Sequence, residues 1–128
     1  MRILLDTCTF LWIITNDPKL SPQARKLFID PANEVYLSVA STWEIAIRYN
    51  QGKLLLPKPP VRYVPAKRKQ HDIDSLPLDE EATLYLTKLP DLHKDPFDRI
   101  LICQAIVSGL IILTPDELIS QYPLRSMW

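Results

Sequence analysis

At 128 residues, with 47% hydrophobic and 23% charged residues, the chain has one domain's worth of sequence (1–128) and enough apolar material for a core, which excludes a disordered or low-complexity protein. Fifteen basic residues balance fifteen acidic ones, so any attraction to a polyanion must come from local clusters and not from net charge. The two cysteines, Cys8 and Cys103, lack Cys-x-x-Cys or Cys/His spacing, which argues against a zinc site or a disulfide framework and for reduced thiols.

The opening "RILL", residues 2–5, is a short apolar run ending at Asp6 and predicts a buried strand. A helical pattern through Phe10, Leu11 and Ile14 follows and ends near Asp17-Pro18. This start resembles a signal peptide, but Asp6 interrupts the apolar run and no small-residue cleavage site follows. Ser21-Pro22 has the form of an N-cap and first helical position, opening a helix through Ala24, Leu27 and Phe28. "EVYLS" predicts a second strand, and "ASTWEIAIRYNQG" a helix with Gly52 at its C-terminal cap. In the middle, Pro57, Pro59, Pro60 and Pro65 forbid one long helix and leave room for a short one over Val64–Gln70. "LDEEATLYLTKL" predicts a helix with an acidic first turn. "DPFDRILICQAIVSG" predicts another, closed by Gly109. "LIIL" is a strand, "TPDELISQY" a last helix, and "LRSMW" an edge strand. The longest uncharged run, residues 100–115, is too short to span a bilayer. The expectation is a cytoplasmic protein without a membrane segment. Strands this apolar, alternating with helices, imply an α/β fold with a mainly parallel sheet of four to five strands covered on both faces.

Charge is unevenly spread. Arg48 to Lys69 holds seven basic residues and no acidic one, whereas Asp72 to Asp98 holds eight acids against Lys88 and Lys94. Arg48, Lys53, Arg62, Lys67 and Arg68, interleaved with Tyr49 and Tyr63, are the candidates for tracking a nucleic-acid backbone and stacking a base.

The acids have two readings. In "DPFD", Asp95 is a good N-cap, Pro96 suits the first helical position, and Asp98 on the third favours the helix dipole. In "STWE", Ser41 and Glu44 have capping-box spacing, while Ser38 could instead cap an earlier start and leave Glu44 in the second turn. In "TPDE" a box would pair Thr114 with Glu117 and leave Asp116 beside it. Each acid taken singly is a structural residue. Taken together, Asp6, Glu44, Asp98 and Asp116 all fall at or just after a strand's carboxyl end or in the first turns of a helix starting near it. A parallel sheet gathers those ends on one side, where ligands bind.

Two carboxylates about 5 Å apart repel by roughly 3 kcal/mol at an effective dielectric near 20. Helix dipoles return only about 0.3 to 1 kcal/mol each. Either some of the acids are protonated or a divalent cation lies among them. An all-oxygen set selects a hard ion, Mg²⁺ or Mn²⁺, and a hard ion beside a basic surface suits phosphodiester hydrolysis. Trp12, Trp43 and Trp128 read as core or interface packing. His71 and His93, in predicted loops without a partner at metal spacing, receive no role.

"LLDT" at 4–7, "SVASTWEIAI" at 38–47, "GKL" at 52–54, "HKDPFDRILICQA" at 93–105 and "ILTPDELISQYP" at 112–123 resemble the PIN-domain ribonucleases, specifically the VapC-like toxins of type II toxin–antitoxin pairs. The resemblance runs in order over nearly the whole chain. It implies a metal-dependent endoribonuclease with the acidic set Asp6, Glu44, Asp98 and Asp116, with Asp95 as an accessory acid, and with the Thr7 and Thr114 hydroxyls orienting carboxylates or water. It also implies an RNA substrate, a small antitoxin protein that obstructs the acidic pocket, and a homodimer. Cys8 stands where relatives often carry His. The rival non-enzyme reading is a catalytically silent PIN-like module that only binds its partner, but no member of the acidic set is missing. An aspartate-nucleophile phosphatase would need a second carboxylate where Cys8 stands. A phospho-receiver would need an acidic pair after the first strand and a late lysine.

Overall fold

The computed structural model describes residues 1–128. Its elements are β1 (Arg2–Leu5), α1 (Thr7–Ile14), α2 (Pro22–Ile29), β2 (Glu34–Ser38), α3 (Val39–Asn50), α4 (Pro60–Gln70), β3 (Ile73–Leu76), α5 (Glu80–Leu84), α6 (Pro96–Ser108), β4 (Ile111–Leu113) and β5 (Arg125–Met127), with 3₁₀ turns over Tyr85–Lys88 and Glu117–Gln121. The strands form one sheet in the order β3-β2-β1-β4-β5, and every neighbouring pair is parallel. No helix is long and apolar enough to cross a membrane.

Alternation along β1 explains the two layers. Ile3 and Leu5 join a cluster with Phe10, Ile13, Ala24, Leu37, Ile45, Val64 and Leu113. Leu4 faces the other way and packs with Leu101, Ile102, Ala105, Ile112 and Tyr122. A strand flanked on both edges and buried on both faces cannot have a wet side, which is why "RILL" is almost wholly apolar. Register then sets neighbours beyond the strand ends. Leu5 is level with Leu37 on one side and Leu113 on the other, so Asp6, Ser38 and Thr114 leave the sheet side by side.

Four departures from the sequence reading have local causes. The strand β3 went unseen because only Ile73 is buried, with Asp74 and Ser75 exposed on an edge. The α4 helix runs through Pro65 from Pro60 and exceeds the predicted Val64–Gln70. Pro65 denies the Val61 carbonyl its helical N–H, but Val61 is 80% exposed, so water replaces it. The helix expected over residues 78–89 is only α5 and a 3₁₀ turn. Leu84 and Leu86 are exposed while Ala82 and Leu89 are buried, and Leu89 turns extended before Pro90. The last helix shrinks to a 3₁₀ turn, since Asp116 starts it late and Tyr122 is extended before Pro123.

Gln104, on α6, is fully buried and links three elements. Its Oε1 accepts from the Ser38 hydroxyl at 2.5 Å, and its Nε2 donates to the Pro77 carbonyl at 3.1 Å. This pins α6 against the start of α3. Gln104→Leu leaves a buried hydroxyl and a carbonyl unpaired, so urea denaturation is expected to show about 2 kcal/mol of lost stability. Ile29→Ala, at an exposed site, is expected to change it by less than about 0.5 kcal/mol.

Candidate active site

Local capping brings the first carboxylate into place. Asp6 caps α1, its Oδ1 accepting from the Thr9 N–H at 2.9 Å and from the Cys8 thiol at 3.3 Å. Its Oδ2 accepts from the Thr114 hydroxyl at 2.5 Å, across the β1–β4 junction. The Thr114 oxygen in turn accepts the Asp116 N–H at 3.1 Å. Thr114 therefore serves Asp6 and the Asp116 backbone and not the box with Glu117. Asp116 itself caps the 3₁₀ turn through Leu118 N–H.

Ser38, and not Ser41, caps α3, so Glu44 lies in the second turn. There its Oε1 accepts from the Thr7 hydroxyl at 2.6 Å, and Thr7 Oγ1 also lies 3.0 Å from the buried Ser41 Oγ. One residue beyond Asp6, Thr7 thus ties α1 to Glu44. Asp95 caps α6 and Pro96 opens it, leaving Asp98 half-buried in the first turn.

Asp98 lies in the field of the others. Its pKa is raised from the usual carboxylate value to about 6, first by burial, then by Asp95, with Asp6 and Glu44 adding to the rise and His93 opposing it. Asp6, Glu44, Asp95 and Asp98 therefore share one electrostatic pocket. Asp116 does not contribute to that shift, and its Oδ2 lies 2.7 Å from His93 Nε2. Cys8 is held as a thiol, its pKa pushed up to about 12 by burial and the Asp6 charge, so it offers no thiolate nucleophile.

His93 is the residue the sequence reading missed. It sits in a loop, as predicted, but is 8% exposed and bonded on both ring nitrogens. No local signal could have found this, because its partners Asp116 and Tyr122 are 23 and 29 residues away.

The basic candidates are dispersed. Arg62 and Lys67 line a cleft of about 560 Å³ with Lys58 and Tyr63, and Lys67 lies over the Tyr63 ring. Arg68 instead donates to the Ile73 carbonyl at 2.9 Å and steadies β3. Arg48 ends α3, and Lys53 is exposed in the turn after it. Of the tryptophans, Trp12 and Trp128 pack edge-on against each other beside the core. Trp43 is 64% exposed and rests on Phe97.

Every candidate ligand is a carboxylate, and Asp98 has its pKa raised first by burial and then by the neighbouring Asp95, Asp6 and Glu44 charges. Such a set fits a hard cation. The carboxylates surround the pocket loosely: no three Asp, Glu, His or Cys side chains close to ligating distance.

A parallel sheet covered by helices, with carboxylates collected beyond the ends of its inner strands, defines an α/β protein with an acidic site at the strand-end crevice. The chain belongs to the PIN domain family, whose model matches residues 3–123. It is 38% identical over 72 residues to Ribonuclease VapC16 of Mycobacterium tuberculosis, a match covering 53% of this chain and 51% of that protein. The chain thus spans about half the length of that curated relative. Among solved structures, the fold is similar to DNA-bound VapBC from Salmonella typhimurium, with a TM-score of 0.71 and 19% identity over 99% of this chain and 97% of that one. It is also similar to VapBC2 from Rickettsia felis bound to a promoter DNA fragment, with a TM-score of 0.68 and 16% identity over 99% and 98%. FitAcB from Neisseria gonorrhoeae gives 0.61 and 19% over 98% and 96%.

The Asp98 carboxyl carries a pH signature. Its raised pKa means the folded chain takes up this proton more readily than the unfolded chain, so the penalty is present above pH 6 and is relieved as pH falls from about 6 toward 3.8. In EDTA, urea denaturation is expected to show about 1 kcal/mol of this relief between pH 7.5 and 5, after allowance for solvent screening. Asp98→Asn is expected to be more stable than wild type at pH 7.5 by a similar amount and to lose that pH dependence.

Proposed function

We propose that this chain is a divalent-metal-dependent endoribonuclease that hydrolyses RNA phosphodiester bonds, and that it acts as the toxin of a toxin–antitoxin pair. The observation carrying this reading is the gathering of Asp6, Glu44, Asp95 and Asp98 at the sheet edge of a PIN-family chain, close enough that the last has its pKa raised to about 6 by burial and by the charges of the other three. Likeness to a protein named a ribonuclease supports the activity, and likeness to VapBC assemblies supports a partner protein. The same reading assigns Asp6, Glu44, Asp98 and Asp116 to catalysis, with Asp95 accessory to the metal pocket.

In this mechanism Asp6, Asp98 and Glu44 would hold Mg²⁺ or Mn²⁺, which when bound would neutralise charge on the phosphate and make a water more acidic. Thr114 fixes one oxygen of Asp6 and Thr7 fixes one of Glu44, so neither carboxylate must reorganise as charge develops. Asp98, half-buried in the first turn of α6, contributes its carboxylate to the same ion site. Arg62 and Lys67 on α4, with Arg48 in the last turn of α3 and Lys53 in the turn that follows α3, guide the RNA backbone. Arg68 contributes by holding β3 beneath α4.

The partners follow the same logic. An antitoxin that covers the acidic pocket would silence the chain while bound. A homodimer is supported by an uncharged cleft of about 240 Å³ lined by Ala40, Trp43, Leu78, Pro96, Phe97 and Ile100, with Trp43 and Phe97 edge-to-face at 5.6 Å. Exposed apolar surface of this kind suits self-association. A cytoplasmic site of action is supported by the unpaired Cys8 and Cys103 thiols.

Purified chain is expected to cleave RNA with Mn²⁺ and to stop with EDTA, and Asp6→Ala and Asp98→Ala to lose about 100-fold or more. Equal cleavage by all three would identify a contaminant and leave the silent binding module as the answer. Separately, sedimentation is expected to give a dimer for wild type and a monomer for Trp43→Asp, with far-UV circular dichroism unchanged. A wild-type monomer at micromolar concentration would remove the dimer.

A further inference from the structure

His93 lies two residues before the α6 cap, and its loop is held by Arg99, whose guanidinium donates to the His93 carbonyl at 3.0 Å and to that of Pro90 at 3.1 Å. Its ring packs on Tyr122, with centroids 5.4 Å apart. The hydrogen bonds around it can be followed proton by proton. Tyr122 is 3% exposed, and its hydroxyl oxygen accepts from the His93 backbone N–H at 3.0 Å. Its single proton must then go elsewhere, and His93 Nδ1 lies 2.8 Å away. Nδ1 is therefore an acceptor and carries no proton. That leaves the proton on Nε2, which faces Asp116 Oδ2 at 2.7 Å, where an ionised carboxylate can only accept. With Nδ1 protonated instead, the buried Tyr122 proton would be orphaned.

Asp116 is consequently held twice: Oδ1 by the Leu118 N–H and Oδ2 by His93. Its backbone N–H is tied to Thr114, which is bonded to Asp6. A carboxylate fixed in this way retains lone pairs on both oxygens but has no rotational freedom. We propose that His93 is a positioning residue: locked by the Tyr122 hydroxyl as the neutral Nε2–H tautomer, it fixes the orientation of the Asp116 carboxylate just beyond the end of β4, beside the Thr114 hydroxyl that holds Asp6. Sidewise bonds of this kind fix carboxylates around metal sites and are worth about 10 to 100-fold in affinity. The metal consequence rests on the nuclease reading above, whereas the tautomer does not.

Two measurements on the full chain separate these. Ring ¹⁵N shifts in the metal-free protein at neutral pH are expected to show His93 with Nδ1 bare and Nε2 protonated, and Tyr122→Phe to abolish that fixed tautomer. A protonated Nδ1 in wild type overturns the proposal whatever the metal does. Binding of Mn²⁺, followed by loss of the free-ion EPR signal, is expected to weaken about 10-fold or more in His93→Leu. His93→Gln, which keeps an amide donor at the Nε2 position, is expected to stay within a few-fold of wild type. Urea denaturation confirms that the variants are folded, and Tyr122→Phe provides a milder test should His93→Leu not fold. Wild-type affinity in folded His93→Leu overturns the positioning role. Absence of Mn²⁺ binding by wild type would instead fail the nuclease reading, and the ¹⁵N shifts with Asp116→Asn as comparison would then decide the His93–Asp116 bond by itself.

Discussion

Carboxylates that repel one another stand together at one edge of this molecule because parallel strand pairing carries them there. The central strand β1 is level at Leu5 with Leu37 and Leu113, so three chains leave the sheet within a strand spacing or two of each other, about 5 to 10 Å. Asp6 lies in the middle, Glu44 is one helical turn and a half into α3, and Asp98 approaches from α6. The apolar layers on both faces of β1 supply the free energy that tolerates this crowding, and the raised Asp98 pKa reflects first its burial and then these neighbours.

Hydroxyls convert that crowding into order. Thr114 and Thr7 are buried, and each donates to a carboxylate on a different element. A hydroxyl can satisfy an acid without adding charge, so it orients the acids while leaving the pocket's negative potential available to a cation. Serine and threonine recur where α/β chains leave their strands, and here Ser38 performs a further service by capping α3 and binding Gln104. The α6 helix is thereby locked to α3, which keeps Asp98 near Glu44.

The outer surfaces divide by chemistry. The α4 side carries a basic cleft, and the α3–α6 side presents an uncharged aromatic face around Trp43 and Phe97. The first suits a polyanion and the second another apolar surface. Cys8, one residue from Thr7 and bonded to Asp6, is a packed thiol and adds no reactivity to the pocket.

By itself the sequence determined the strands β1, β2, β4 and β5, the caps at Ser21 and Asp95, and the glycine end of α6 at Gly109 with its positive φ. These depend on burial period and on contacts within a few residues. Tertiary structure alone decided the rest. The edge strand β3 exists because β2 offers it hydrogen-bonding partners, not because "IDSL" is apolar. Ser38 prevailed over Ser41 as the cap of α3 because Ser41 is buried against Thr7. His93 acquired its partners from residues 23 and 29 positions away, when the fold closed the end of β4 over the loop before α6. A hydrogen bond between distant residues leaves no period or spacing in the chain, so only the packed molecule discloses it.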